Sequence, residues 1–157
     1  MTNLCQIKQL GLSCFGCCGF DFTTKKDVLD TIKQNTIDFE NFKNEKDGLK
    51  KYRDRYKKLA EDGEWELSKS GICYNLIVKE GAFVCPLHAM QNQGIDLRHD
   101  HCDLNYNCKT VFIFDKWDKN KQNTFIEFIK SKKLSSYEYS KLMFKNKLLN
   151  EFENRIK

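Results

Sequence analysis

Proline is almost missing from this chain: one residue, Pro86, in a sequence of 157. There is no Gly/Ser linker, no low-complexity run and no convincing internal repeat, so nothing in the sequence marks off two domains. Long apolar runs are missing as well. No window approaches the roughly 20 apolar residues of a membrane span, which excludes a membrane partner of that kind. The opening residues, Met1 to Lys8, lack the uninterrupted apolar region of a secretory signal. The expectation is a protein of a reducing compartment, the cytoplasm, whose thiols stay reduced or bind metal. Cysteine and histidine are themselves absent from residues 19–72 and 109–157. Their absence there throws into relief where they are.

Seven of the eight cysteines fall in two compact clusters. The first is Cys14-Phe15-Gly16-Cys17-Cys18. The second runs from Cys73 through Cys85 and Cys102 to Cys108, and it contains all three histidines, His88, His99 and His101. Cys5 stands apart. A chain of this length can bury a core without disulfide staples. An even number of cysteines leaves a disulfide framework open, but the clustering points to metal. Zinc sites take four Cys or His ligands in a tetrahedron, and iron sites accept the same thiolates.

Around the clusters the reading is mainly α with a small β-hairpin: a single compact domain organised around a cysteine-rich metal site. It comprises a cysteine-rich region, 5–108, and a C-terminal helical extension, 109–157. Thr24-Lys25-Lys26-Asp27 reads as a helix start, with Val28, Leu29 and Ile32 on one face. Leu49, Tyr52, Tyr56 and Leu59 make an apolar stripe on a second helix, ended by Gly63. Ile72–Val78 and Ala82–Cys85 read as two strands about Lys79-Glu80-Gly81, with Cys73 and Cys85 side by side at the open end. Thr110–Phe114 reads as a strand or a buried link. Phe125, Phe128 and Ile129 share a helix face. Ser135 and Glu138 form a capping box that opens a last helix with Leu142, Leu149, Phe152 and Ile156 on its inner stripe. From Pro86 to Cys108 no period is visible, and so long an irregular stretch needs something to tie it down.

The offsets of Cys14, Cys17 and Cys18 put three sulfurs on one face if the segment is a helical turn. Gly16 and Gly19 fit a knuckle equally well. Either way a fourth ligand must come from elsewhere, and the second cluster is the obvious supplier. Seven thiols, or eight with Cys5, are too many for one tetrahedral ion and close to enough for two. His88, three residues after Cys85, is the best histidine candidate. His99 and His101 alternate along the chain and would point apart if extended. A thioredoxin-like reading of Cys14 and Cys17 lacks a surrounding βαβ pattern and leaves Cys18 unexplained. A papain-like nucleophile would need one special cysteine, not a cluster.

The order of these motifs resembles the YkgJ-type zinc- or iron-chelating domain family, named for a Cys-x-x-Cys-x-x-Cys-Cys motif. The resemblance covers roughly residues 5–108: the Cys-Cys pair, then Cys73-Tyr74-Asn75-Leu76, Cys85-Pro86-Leu87-His88 and Gly94–Arg98 leading to Cys102. It implies a cysteine-ligated zinc, iron or iron–sulfur site on Cys14, Cys17, Cys18, Cys73, Cys85, Cys102 and Cys108. The chain departs from the motif at Gly11, where regular spacing would put another cysteine. Either Cys5 substitutes or that ligand is missing. Some larger relatives are linked to protein lysine methylation, so an iron–sulfur enzyme or electron carrier is an alternative, although no Gly-rich nucleotide motif accompanies it. A third reading uses the charge. Residues 109–157 carry 12 Lys and Arg against 6 Asp and Glu, while 1–108 carry 15 against 16. Basic C-terminal helices on a zinc-stabilised module would suit nucleic acid, but no recognition motif accompanies them, and a solvated lysine-rich face explains the charge as well.

Overall fold

A computed structural model describes residues 2–59, 67–106 and 108–156. In chain order the elements are β1 (Gln6–Ile7), β2 (Leu12–Ser13), α1 (Lys25–Phe42), α2 (Gly48–Asp54), α3 (Tyr56–Leu59), β3 (Ile77–Lys79), β4 (Ala82–Val84), α4 (Lys109–Asp115), α5 (Lys119–Ser131), α6 (Ser136–Phe144) and α7 (Lys147–Arg155). The fold is mainly α, with two small antiparallel two-stranded sheets, β1–β2 and β3–β4. The chain divides into two compact units, residues 1–17 with 105–157, and residues 18–104. These do not coincide with the sections 5–108 and 109–157 read from the sequence, because the first 17 residues pack with the C-terminal helices.

In the unit formed by the two chain ends, one apolar cluster joins Leu4, Ile7 and Leu12 of the N-terminal hairpin to Phe114, Phe125, Ile129, Tyr139, Met143, Leu148 and Phe152. Directional bonds fix the register of that packing. The Tyr139 hydroxyl donates to the Leu4 carbonyl at 2.8 Å in a buried setting. Ser140 Oγ accepts from the Phe15 amide at 3.0 Å, and Ser136 Oγ accepts from the Ser13 amide at 3.0 Å. Three side chains of α6 therefore hold residues 4–15. The capping box that starts α6 is present: Ser135 Oγ accepts from the Glu138 amide, and Glu138 Oε2 accepts from the Ser135 amide at 2.8 Å. Replacing Ser135 by alanine removes one half of it, and about 1 kcal/mol of stability is expected to be lost. Urea unfolding reads the change, and an unchanged midpoint would show the cap to be idle.

Two expectations about this unit are corrected. Thr110–Phe114 is helical, part of α4, not a strand. Thr110 and Phe114, four apart, are the residues it buries, and a short apolar run does not by itself distinguish helix from strand. The last helix is two helices. Asn146 takes a left-handed conformation (φ 53°) between α6 and α7, and its Oδ1 accepts from Thr110 Oγ1 at 3.0 Å. With the phase reset there, Leu149 and Phe152 are buried but Ile156 is exposed.

In the unit of residues 18–104, α1 begins at Thr24, whose hydroxyl accepts from the Asp27 amide. It buries Val28, Ile32 and the polar Asn35. The Tyr52 stripe is only half core. Tyr52 is fully buried, while Leu59 is exposed. The helix is interrupted between α2 and α3 at Arg55, which itself turns inward. Gly63 lies outside the described residues. The hairpin is real but shorter than expected: Ile77 pairs with Val84, Val78 with Phe83 and Lys79 with Ala82. Glu80 and Gly81 both have positive φ, 51° and 78°, the two-residue turn that matches strand twist. Among the described residues no helix is long and apolar enough to cross a membrane.

Candidate functional site

Cys5 and Cys14 sit at the open end of the β1–β2 hairpin. Gln6 pairs with Ser13 and Ile7 with Leu12, and the Cys14 amide donates to the Cys5 carbonyl at 2.9 Å. The two cysteines are therefore directly opposed, one step beyond the strands. The turn that permits this closes through Gly11 at φ 63°, a conformation that glycine adopts without penalty. The glycine that stands where another cysteine would be expected is thus part of what brings Cys5 across from Cys14. The segment after Cys14 is a turn, not a helix. It is a knuckle in which the Gly16 amide donates to Cys14 Sγ at 3.3 Å. A side chain on Gly16 would meet the Ser140 carbonyl and the Phe144 amide of α6 at 3.1 and 3.2 Å. Cys17 closes this turn, and Cys108 precedes α4 in the same unit.

The thiols of this unit lie in electrostatic range of one another. Burial pushes Cys14 up to about 12, opposed by the Gly16 amide and reinforced by Cys17, Cys5 and Cys108. Cys5 keeps an open face to solvent, yet partial burial, then Cys17, Cys108 and Asp115, raise it to about 11. At neutral pH such thiols are protonated.

The other four cysteines belong to residues 18–104. The Cys73 amide donates to the Cys18 carbonyl at 2.8 Å, and Gly19 bridges Ile72 in the antiparallel sense. Cys18 and Cys73 are thus opposed as Cys5 and Cys14 are. The backbones approach so closely here that a side-chain carbon on Gly19 would fall 2.2 Å from the Gly71 carbonyl oxygen. Cys73 is not at the end of the β3–β4 hairpin, as expected from the sequence. It lies in a turn before β3, where the Leu76 amide returns to the Cys73 carbonyl and the Asn75 amide donates to Cys73 Sγ at 3.4 Å. Cys85 directly follows β4. Burial raises its thiol to about 11, against which the amides of Leu87 and His88 and the Arg98 guanidinium favour the thiolate, while Cys102 opposes it.

A polar network that the sequence reading did not single out clamps the Cys73 turn. Asn35 Nδ2 donates to the carbonyls of Cys73 and Leu76 at 3.1 and 3.0 Å. The Tyr52 hydroxyl donates to the Tyr74 carbonyl at 3.1 Å. Arg55 donates to the same carbonyl at 2.6 Å, to Asn35 Oδ1 at 3.2 Å and to Asp38 at 3.1 Å. The available signal was an asparagine at the helical spacing of the apolar residues Val28 and Ile32. A polar residue on a core face implies a hydrogen-bond duty.

The irregular segment after Cys85 is tied partly by its own groups. The Leu97 amide donates to the Leu87 carbonyl at 2.9 Å, and Arg98 forms a two-pronged pair with Asp96 at 3.0 and 2.6 Å. His88 Nδ1 accepts from the Met90 amide at 3.1 Å and so caps a 3-10 turn over Ala89–Gln91. His101 packs edge-on against the Tyr56 ring, and His99 is exposed. Several cations of the C-terminal helices have local employment. Lys116 lies over Phe112, Lys121 over Trp117, and Lys132 over Phe128 with Glu151 beside it.

All eight cysteines are thiols, with Cys5, Cys17 and Cys102 exposed. Among the described residues no three His, Cys, Asp or Glu side chains are gathered closely enough to hold an ion. Two cysteine pairs are opposed across antiparallel backbone, and Cys14 Sγ and Cys73 Sγ accept backbone amide bonds. No protein-family model, curated protein or solved structure matches the chain.

Proposed function

We propose that this protein binds zinc or iron through cysteine thiolates, as the resemblance to the YkgJ-type family implies. The observation that carries the reading is the opposition of Cys5 and Cys14 across a hairpin end, with Cys17 and Cys108 in the same unit. Directly opposed residues have β-carbons about 4.5–5.5 Å apart. Two sulfurs on one tetrahedral zinc, each about 2.3 Å from the metal, need about 3.8 Å, a difference that side-chain rotation covers. On this reading the ion draws the thiols together, so its binding energy is partly folding energy. A reducing compartment such as the cytoplasm suits thiols used in this way.

Elemental analysis of protein purified without oxygen tests the proposal. Bound zinc or iron supports it. Less than about a tenth of an equivalent, with every thiol titrating, overturns it. Colour distinguishes the metals: a colourless protein holds zinc, and a brown one bleached by dithionite holds an iron–sulfur cluster.

Acid is expected to release the metal. Thiols held near 11 and 12 in the metal-free protein must each lose a proton to bind, so affinity falls about tenfold per thiolate ligand for each pH unit lowered. Four ligands make that about ten-thousandfold. A zinc-indicator competition at two pH values measures it, and a pH-independent affinity would exclude thiolate ligation.

A further inference from the structure

We propose that Cys5 and Cys14 are a thiol–disulfide exchange pair, oxidised to an intramolecular disulfide by a small-molecule disulfide such as oxidised glutathione. The pairing stands on backbone register and holds whether or not the thiols take a metal. In sequence the redox-like pair is Cys14 and Cys17, a Cys-x-x-Cys. In the fold the residue directly across from Cys14 is Cys5, and the Cys14 amide donates to its carbonyl.

A disulfide needs only two sulfurs, whereas a structural zinc ion needs four ligands. Residues at a hydrogen-bonded antiparallel position have Cα atoms about 5.5 Å apart, inside the roughly 4.4–6.8 Å that a disulfide spans. Their β-carbons stand about 4.5–5.5 Å apart, and a disulfide brings them to roughly 3.5–4.5 Å, a closure of about 1 Å. The pair lies one step beyond the strands, where such a closure disturbs no ladder: the Cys5 amide is turned to Asn3 Oδ1 at 2.8 Å. The outer neighbours are nevertheless pinned to α6. Tyr139 holds the Leu4 carbonyl, and Ser140 holds the Phe15 amide.

Exposure orders the steps, because Cys5 is open to solvent and Cys14 is half-buried. Cys5 Sγ, as thiolate, attacks one sulfur of the reagent. The reagent's S–S bond breaks, one thiol leaves with the proton that Cys5 gave up, and a mixed disulfide remains on Cys5. Cys14 Sγ, oriented by the Gly16 amide at 3.3 Å, then attacks the Cys5 sulfur and expels the second thiol with its own proton. The protein loses two hydrogens with their two electrons, and the reagent becomes two thiols. Cys18 and Cys73 are opposed in the same way, but neither is exposed, and Asn35 clamps the Cys73 turn. They are expected to react later.

Peptide mapping by mass spectrometry tests the pairing. Full-length protein, reduced and purified without oxygen, is incubated with oxidised glutathione, both as purified and after a chelator, with the fold checked by circular dichroism. The first product is expected to lack two hydrogens and to link the Cys5 and Cys14 peptides. Cys17→Ser should form the same link, whereas Cys14→Ser should stop with one glutathione on Cys5. A first link between Cys14 and Cys17 or between Cys18 and Cys73, glutathione left on Cys5 of the wild type, or no reaction overturns the pairing. The mapping of untreated protein decides the matter should the chelator unfold the chain. A link in protein that holds no metal leaves this pair standing and sinks the metal reading; bound metal without the link does the reverse.

Discussion

Replacing Arg55 by methionine is expected to destabilise the protein by roughly 3–5 kcal/mol, the range for removing one partner of a buried ionic network. The guanidinium is only 8% exposed. It bonds at once to Asp38, to Asn35 Oδ1 and to the carbonyls of Tyr52 and Tyr74. Methionine fills much of the volume and stacks on Tyr52, as the guanidinium does at 3.9 Å. It leaves Asp38 without its countercharge and Asn35 Oδ1 without its guanidinium donor, and the carbonyls of Tyr52 and Tyr74 keep one donor each instead of two; each unsatisfied buried group costs about 1–3 kcal/mol. The Tyr74 carbonyl belongs to the turn that carries Cys73, so amide exchange at Cys73–Leu76 should quicken along with the global loss. Urea denaturation at matched metal content measures the stability. A loss under about 1 kcal/mol would mean that water replaces the arginine and that the turn holds itself.

Phe125→Ala is expected to cost a similar 3–5 kcal/mol by a different mechanism, the cavity left by a buried aromatic ring. Phe125 is fully buried. Its ring lies 5.0 Å from that of Phe152, 5.5 Å from Trp117, 6.0 Å from Phe114 and 6.1 Å from Phe128. Helices α4, α5 and α7 each contribute to this cluster, and none of its rings can move into the gap without leaving another. The conservative change Phe125→Leu should recover most of the loss. Trp117 fluorescence is a direct local probe, because the indole is in contact with the altered position. If alanine and leucine were equally mild, the cluster would be loosely packed and the cavity argument would fail.

Much of this was legible in the sequence because it is local. The helix starts at Thr24 and Ser135 were readable because an N-cap needs only a hydroxyl and an amide three residues on. The face shared by Phe125, Phe128 and Ile129 followed from helical period alone. The Glu80-Gly81 turn was visible for the same reason. Expectations failed where a distant group intervened. Thr110–Phe114 became a helix because its buried face meets the apolar cluster of its unit. The long C-terminal stripe broke at Asn146, whose side chain takes a bond from Thr110. The Tyr52 stripe stopped short because Arg55 turned inward to carbonyls about twenty residues away in sequence.

By itself the sequence determined which chemistry is available: eight thiols, gathered and separated from long stretches that have none. What the tertiary structure alone decided is which thiols face each other. Opposition across an antiparallel pair depends on register, and register here is set by a left-handed glycine at position 11 and by the close backbone crossing of Gly19 and Gly71. Cys5, apart from its group in the sequence, stands across from Cys14. Cys18, next to Cys17 in the chain, pairs with Cys73, 55 residues away in the numbering. Spacing reports which residues are neighbours along the backbone; hydrogen-bonded register decides which are neighbours in space, and metal chemistry depends on the second.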